Sequence, residues 1–407
     1  MFVIPDTFMS ENEEYLTHIP IKEFIKNNPQ ANIDRTAKRR QQLLQIQEYA
    51  NTDENAQQIV EEWIDCSITA GRKEIYLREL EDNQIQFAYL NVNENVEQLM
   101  SDKITDHRHI CCNKYTADYS ICKYTIEDKD DYGKVISVIL CKSIYSFDSK
   151  EEKSIQWYPV IVNIYLDRQY IEARAKQKTH MFKYEKIDDV DEMSGLESLT
   201  PEKEAKTAIG IVCKILGIQT LRNNYAAMES VKGKIYNLLD RNIGTPDEIM
   251  NKLDENEETI RHIMEYYNQN IYPLDITLQR DFKDDIRNIF EKYMSISRGD
   301  LSLFIKDKKM YPIRLIASDE DTSKVDQTSA AKQPLQSKTI FFNNKSMIFK
   351  NKKCDGIMFS VEKENDTTKR NRYYAYIMER KGFCVISWQE YLKEDDIDYV
   401  LHTIFSA

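Results

Sequence analysis

The sequence predicts an α+β multidomain protein: N-terminal helices, a mostly antiparallel sheet, a central helical region, and a β-rich C-terminal domain with a final helix. Three observations carry this expectation. The chain has 407 residues, more than one ordinary hydrophobic core organises. Its apolar residues follow a helical period up to about residue 73 and then switch to strand-like runs. The same switch recurs later, with helical periodicity from Pro201 and strand-like runs after 299. A hydrophobic share of 41% against 30% charged residues places the chain among those that fold.

In order along the chain, residues 1–73 read as a helical region. Asn32 or Asp34 can cap "NIDRTAKRRQQLLQIQEYA", and Leu43, Leu44, Ile46 and Tyr49 supply its apolar side. Residues 74–190 read as an antiparallel β-rich domain. Its strands are "EIYLREL", "IQFAYLNV", "YSICKYTIE", "KVISVILCKSIYSF" and "YPVIVNIYLDRQYIEARAK", dense in β-branched and aromatic residues. Residues 191–298 form the central helical domain, opened by Thr200 as N-cap, Pro201 in the first turn, and Glu202 and Glu204 at the positive end of the helix dipole. Residues 299–407 form the β-rich C-terminal domain. It is interrupted by the polar segment 318–338, expected to be a mobile loop, and "TIFFNN", "SMIFKN", "GIMFSVEK", "RYYAYIME" and "FCVISW" follow as strands.

Composition narrows the function classes. Ten glycines leave little material for phosphate-cradling loops, and neither a P-loop nor a dinucleotide fingerprint is present. The net charge of −12 excludes binding nucleic acid over the whole surface, although a local basic strip acts within a screening length of roughly 10 Å. The first residues lack a basic, apolar export signal, and no run of about 18 apolar residues spans a membrane. With eight irregularly spaced cysteines, this predicts a cytoplasmic protein holding free thiols, with no membrane partner.

Several constellations bear on chemistry. Asp355 heads "CDGIMFSV", and Glu379 and Lys381 end "YYAYIMERK". In an antiparallel hairpin the start of the first strand lies beside the end of the second, so Asp355 and Glu379 become neighbours and Glu379 and Lys381 share a face. This pattern resembles the PD-(D/E)xK nucleases over about 30 residues. The resemblance implies a Mg²⁺ site on the carboxylates and a lysine that orients the attacking water. The competing reading is a hairpin turn, since Gly382 leads straight into "FCVIS". In "HRHICC", His107, His109 and Cys111 fall on one face of a strand, with Cys122 downstream, and imidazole and thiolate are ligands for zinc. No second paired spacing accompanies them, and buried core cysteines are the alternative.

Two basic segments suit phosphate. Along "DRQYIEARAKQKTHMFK" alternation sets Arg174, Lys176 and Lys178 on one face, with Arg168 and Lys183 at the ends. In "KRNRYYAY", Lys369, Arg370 and Arg372 precede Tyr373 and Tyr374, aromatics able to stack on bases. The segment from Thr245 to Tyr267 is similar to a helix-turn-helix, but "DENEET" would set carboxylates against phosphate. The sequence therefore predicts a binding or assembly protein that engages nucleic acid or a protein partner through its basic strips. A Mg²⁺-dependent nuclease and a helix-turn-helix regulator are the alternatives.

Overall fold

The computed structural model describes residues 2–9, 15–104, 116–147, 153–178, 180–184, 196–222, 224–318, 324–363 and 371–406. The fold is α+β, and every strand pairing between named strands within each unit is antiparallel. The chain divides into two compact units, residues 1–227 with 383–402, and residues 228–382 with 403–407. Among the described residues no helix is long and apolar enough to cross a membrane.

The first unit opens with helices His18–Asn27, Arg39–Ala50 and Glu54–Thr69. Strands β1 (Glu74–Glu79), β2 (Ser120–Lys129), β3 (Gly133–Phe147), β4 (Lys153–Tyr165), β5 (Tyr170–Ala175) and β6 (Met181–Lys183) follow. The second unit contributes β7 (Met310–Ser318), β8 (Lys324–Thr328), β9 (Gly356–Glu362) and β10 (Arg372–Arg380). The chain then returns to the first unit through β11 (Phe383–Ser387).

In the first unit the strand order is β2-β3-β4-β5-β1-β11, with β6 on β3. The long β3 is buried over almost its whole length, which its continuous apolar run dictates. Helix Pro201–Leu216 packs on β4 and β5 with Ala205, Ala208, Ile209, Val212 and Leu216 buried. Thr200 caps its start by accepting from Lys203 N, and Gly217 ends it in the left-handed region at φ 67°. The N-terminal helices bury Leu43, Ile46, Val60 and Ile64 in a core that includes Trp157 and Ile161 of β4.

In the second unit the order is β10-β9-β7-β8, with a bulge in β7 between Pro312 and Arg314. Helices Asp247–Glu255, Glu257–Asn270 and Ile276–Ile296 follow one another, and Ile249 and Leu253 of the first form a small core with Phe304 of the short helix Ser302–Ile305, against which Phe290 and Met294 of Ile276–Ile296 pack.

Local structure departs from the sequence expectation in several places. "IQFAYLNV" is not a strand: Asn83 accepts from Gln86 N and starts helix Gln84–Leu90. "TIFFNN" and "SMIFKN" form one helix, Thr339–Asn351, because Phe341, Phe342 and Ile348 reach the core together at helical spacing. Within 318–338, expected as a loop, residues 324–328 pair with β7 as β8, and 3₁₀ turns follow. Residues 319–323 lie outside the described part.

Candidate nucleic-acid interface

The β9–β10 register places Gly356 opposite Met378, so Asp355 and Glu379 stand side by side at one end of the hairpin. Glu379 N donates to Asp355 O at 2.8 Å, and Asp355 N to Ile316 O at 2.9 Å. The Asp355 carboxylate accepts from Ser318 Oγ at 2.6 Å and pairs with Lys232 Nζ at 2.8 Å. Partial burial works against the Lys232 charge, but the Asp355 hydrogen bond and charge, with Glu379 and Glu229 beyond, raise its pKa. Glu379 Oε1 accepts from Gly382 N at 2.8 Å. Lys381 and Gly382 have φ of 54° and 81°, the pair of left-handed residues a type I′ turn requires.

Thus the lysine that reaches Asp355 is Lys232, from helix Asn224–Asn242, while Lys381 sits on the turn. Nothing in the local sequence signals Lys232, which lies more than a hundred residues upstream. Among the described residues no three His, Cys, Asp or Glu side chains converge as a metal site.

Alternation along β10 divides its residues cleanly. Tyr373, Ala375 and Ile377 are buried, whereas Arg372, Tyr374, Tyr376, Met378 and Arg380 occupy the other, half-exposed face. Cross-strand partners extend that face into Tyr311–Ser360–Tyr374 and Arg314–Met358–Tyr376 rows. Lys332 Nζ lies 3.4 Å from the Tyr374 ring centre, and the Arg314 guanidinium lies 5.4 Å from that of Tyr376. Arg372 covers Tyr311 at 4.6 Å and donates to Ser360 O at 2.8 Å. Asp326 holds Arg314 through bonds of 3.0 and 2.7 Å. Among the described residues neither Lys332 nor Arg380 has a carboxylate partner.

Lys332 is presented by an unusual backbone: Ala331 and Lys332 both adopt positive φ, 53° and 55°. Left-handed non-glycine residues cost of order 1–3 kcal/mol each and persist where the surroundings over-determine them.

The 168–183 segment behaves differently from a solvated strip. All six residues of β5 are buried, Arg174 included at 1% exposure. Its Nε donates to Glu172 Oε1 at 2.8 Å and its Nη1 to both Glu394 oxygens at 2.7 Å. Lys176, also buried, sets its ammonium 4.2 Å from the Tyr15 ring centre. Lys178 donates to Gln156, Lys183 is 3.9 Å from Glu197, and exposed Arg168 donates to Asp131 O at 2.8 Å. Carboxylates distant in sequence turn part of the expected strip inward.

Of the zinc candidates, His107, His109 and Cys111 lie outside the described residues, and Cys122 is buried on β2. Lys369 and Arg370 also lie outside them. In the helix-turn-helix candidate a single residue, Asn256, separates the two helices, and Thr245 donates to Glu291 Oε1 at 2.7 Å. No protein-family model matches the chain, and no curated protein resembles it closely enough to define a relationship.

Proposed function

We propose that this chain is a nucleic-acid-binding protein that takes a single strand across the half-exposed face of β10 in its second unit. One observation carries the reading: Tyr374 and Tyr376 lie on the same face of one strand, each beside a cation, with Arg372 and Arg380 at its two ends. Every base has a π-face, so tyrosines on a sheet accept bases without regard to sequence. A phosphate draws Lys332 off the Tyr374 ring and frees that ring for a base. The net charge of −12 confines attraction to such a local patch.

Fluorescence anisotropy with a labelled oligothymidylate and a duplex of equal length tests the proposal. Tighter binding of the single strand at low salt is expected. Absence of binding to either at low salt removes it.

The adjacency of Asp355, Glu379 and Lys232 favours a second reading, a Mg²⁺-dependent nuclease centred on that end of the hairpin. Incubation with plasmid and Mg²⁺ should then show cleavage that Glu379→Gln and Lys232→Ala abolish. Equal cleavage by all three proteins excludes these residues from any such reaction.

A further inference from the structure

The first unit contains a second constellation, unconnected with the β10 face. A pocket of ≈ 390 Å³ opens between helix His18–Asn27, helix Glu54–Thr69 and residues 391–394. Helical spacing builds two of its walls. Pro20, Glu23, Phe24 and Asn27 line it from the first helix, and Ile59, Glu62, Trp63 and Cys66 from the second. Residues three and four apart stand on one face of a helix, so each helix presents a single face to the pocket.

Two aromatic rings are held at its surface. Trp63 Nε1 donates to Pro20 O at 3.2 Å, and the indole lies against the buried Phe24 ring with centres 4.9 Å apart. Tyr391 rests on Gly71 so closely that a Cβ there would come within 3.1 Å of its ring. Gly71 is itself anchored: its N donates to Leu392 O at 2.9 Å, and its carbonyl accepts from Trp388 Nε1 at 2.8 Å. Trp63 and Tyr391 both line the pocket and are only partly buried, so a bound molecule reaches them.

The charges do not balance. The lining carries Glu23, Glu62 and Glu394 against Lys393 alone. Lys393 Nζ pairs with Glu23 at 2.5 Å, and Glu394 is engaged by Arg174 at 2.7 Å. Glu62 is left over. It is exposed, accepts from Gln58 Nε2 at 2.9 Å, and has no ion-pair partner among the described residues. Two neutral groups in the lining register the excess. Burial raises the Tyr391 hydroxyl, and Glu23, Cys66 and Glu394 raise it further. Burial and Asp65 raise the Cys66 thiol against Lys123, with Glu394 and Glu62 adding to the rise.

Aromatic walls in a negative potential select a cation. Primary ammonium and guanidinium groups bring several N–H donors that need acceptors, and two of the three carboxylates here are already occupied. A quaternary ammonium brings none and is held by ring faces and a nearby negative charge.

We propose that this pocket binds a quaternary ammonium group of the trimethylalkylammonium class, its methyl groups against the Trp63 and Tyr391 rings and its charge beside Glu62. Binding here is independent of the nucleic-acid reading.

Isothermal titration of the intact protein with choline tests the assignment, alongside methylammonium and the uncharged choline isostere in which carbon replaces nitrogen. Choline should bind saturably with a Kd in the millimolar range or tighter, and the other two at least about tenfold more weakly. Glu62→Gln removes the charge at an exposed helical position, and Tyr391→Leu removes one ring. Each should raise the Kd about threefold, and the double variant about tenfold. If Tyr391→Leu fails to fold, Glu62→Gln alone decides. Absence of saturable choline binding overturns the proposal. So does the isostere or methylammonium binding as tightly as choline, or an unchanged Kd in the folded variants.

Discussion

Replacing Tyr374 and Tyr376 by alanine is the sharpest perturbation of the β10 face. Stacking of one base on an aromatic ring contributes about 1–3 kcal/mol, so each substitution should raise the Kd for a single strand by about 5- to 150-fold. The fold should tolerate both changes. The rings are half-exposed, and the lost cation–π contacts with Lys332 and Arg314 amount to about 0.5–1 kcal/mol each. If Lys332, Arg372 and Arg380 each meet a phosphate, log K should fall with log salt at a slope of about −2. Lys332→Gln should then shallow that slope by about 0.7 while leaving base preference unchanged. Tyr266, 65% exposed on helix Glu257–Asn270, provides a control whose alanine variant should bind as the parent does. Anisotropy titrations at several salt concentrations read all of these. A Tyr374→Ala/Tyr376→Ala protein binding within about twofold of the parent would falsify the stacking argument. An unchanged salt slope in Lys332→Gln would remove that lysine from the phosphate path.

Three further outcomes are expected. Burial, reinforced by Glu394 and only partly offset by Lys129, raises the Asp398 carboxyl from 3.8 to about 6. The native state therefore holds this proton more tightly than the unfolded chain, and stability falls as pH rises through the window from about 4 to 6, by at most about 3 kcal/mol. Asp398→Asn should flatten that slope and raise the thermal midpoint at pH 7.5; a lower midpoint there would contradict the sign. Ala331→Gly should relieve left-handed strain and stabilise by up to about 1 kcal/mol in urea titrations, whereas a loss of stability would show the strain to be absent. Lys232→Met should cost about 1–3 kcal/mol by leaving the Asp355 carboxylate without its cation, and Asp355→Asn in the same protein should recover part of it. Strictly additive losses would deny the coupling.

The sequence made the α+β class and the start at Thr200 and Pro201 legible, because periodicity and capping are local. The neighbourhood of Asp355 and Glu379 was legible too, since antiparallel pairing is implied by two alternating runs joined by a polar loop. What escaped is what arrives from far along the chain. Arg174 reads as part of a solvated strip until Glu394, 220 residues later, closes on it. Lys232 belongs to a helix with no chemical signature, yet it supplies the cation beside Asp355. Helix Thr339–Asn351 was misread because its aromatic and β-branched residues favour strands locally, while burial of Phe341, Phe342 and Ile348 decides the outcome.

The return of the chain at Phe383 sets the timetable of biosynthesis. In the first unit β1 is flanked by β5 and β11, Trp388 Nε1 donates to Gly71 O at 2.8 Å, and Glu394 neutralises Arg174. At about 5–20 residues per second, a ribosome needs of order ten seconds or more after Ala227 before β11 is made. Throughout that interval the nascent first unit presents β1 as an open edge and Arg174 without Glu394. Unpaired edges recruit other strands, so this interval is when the polypeptide depends most on chaperones. A premature stop between Ala227 and Phe383 makes that transient exposure permanent.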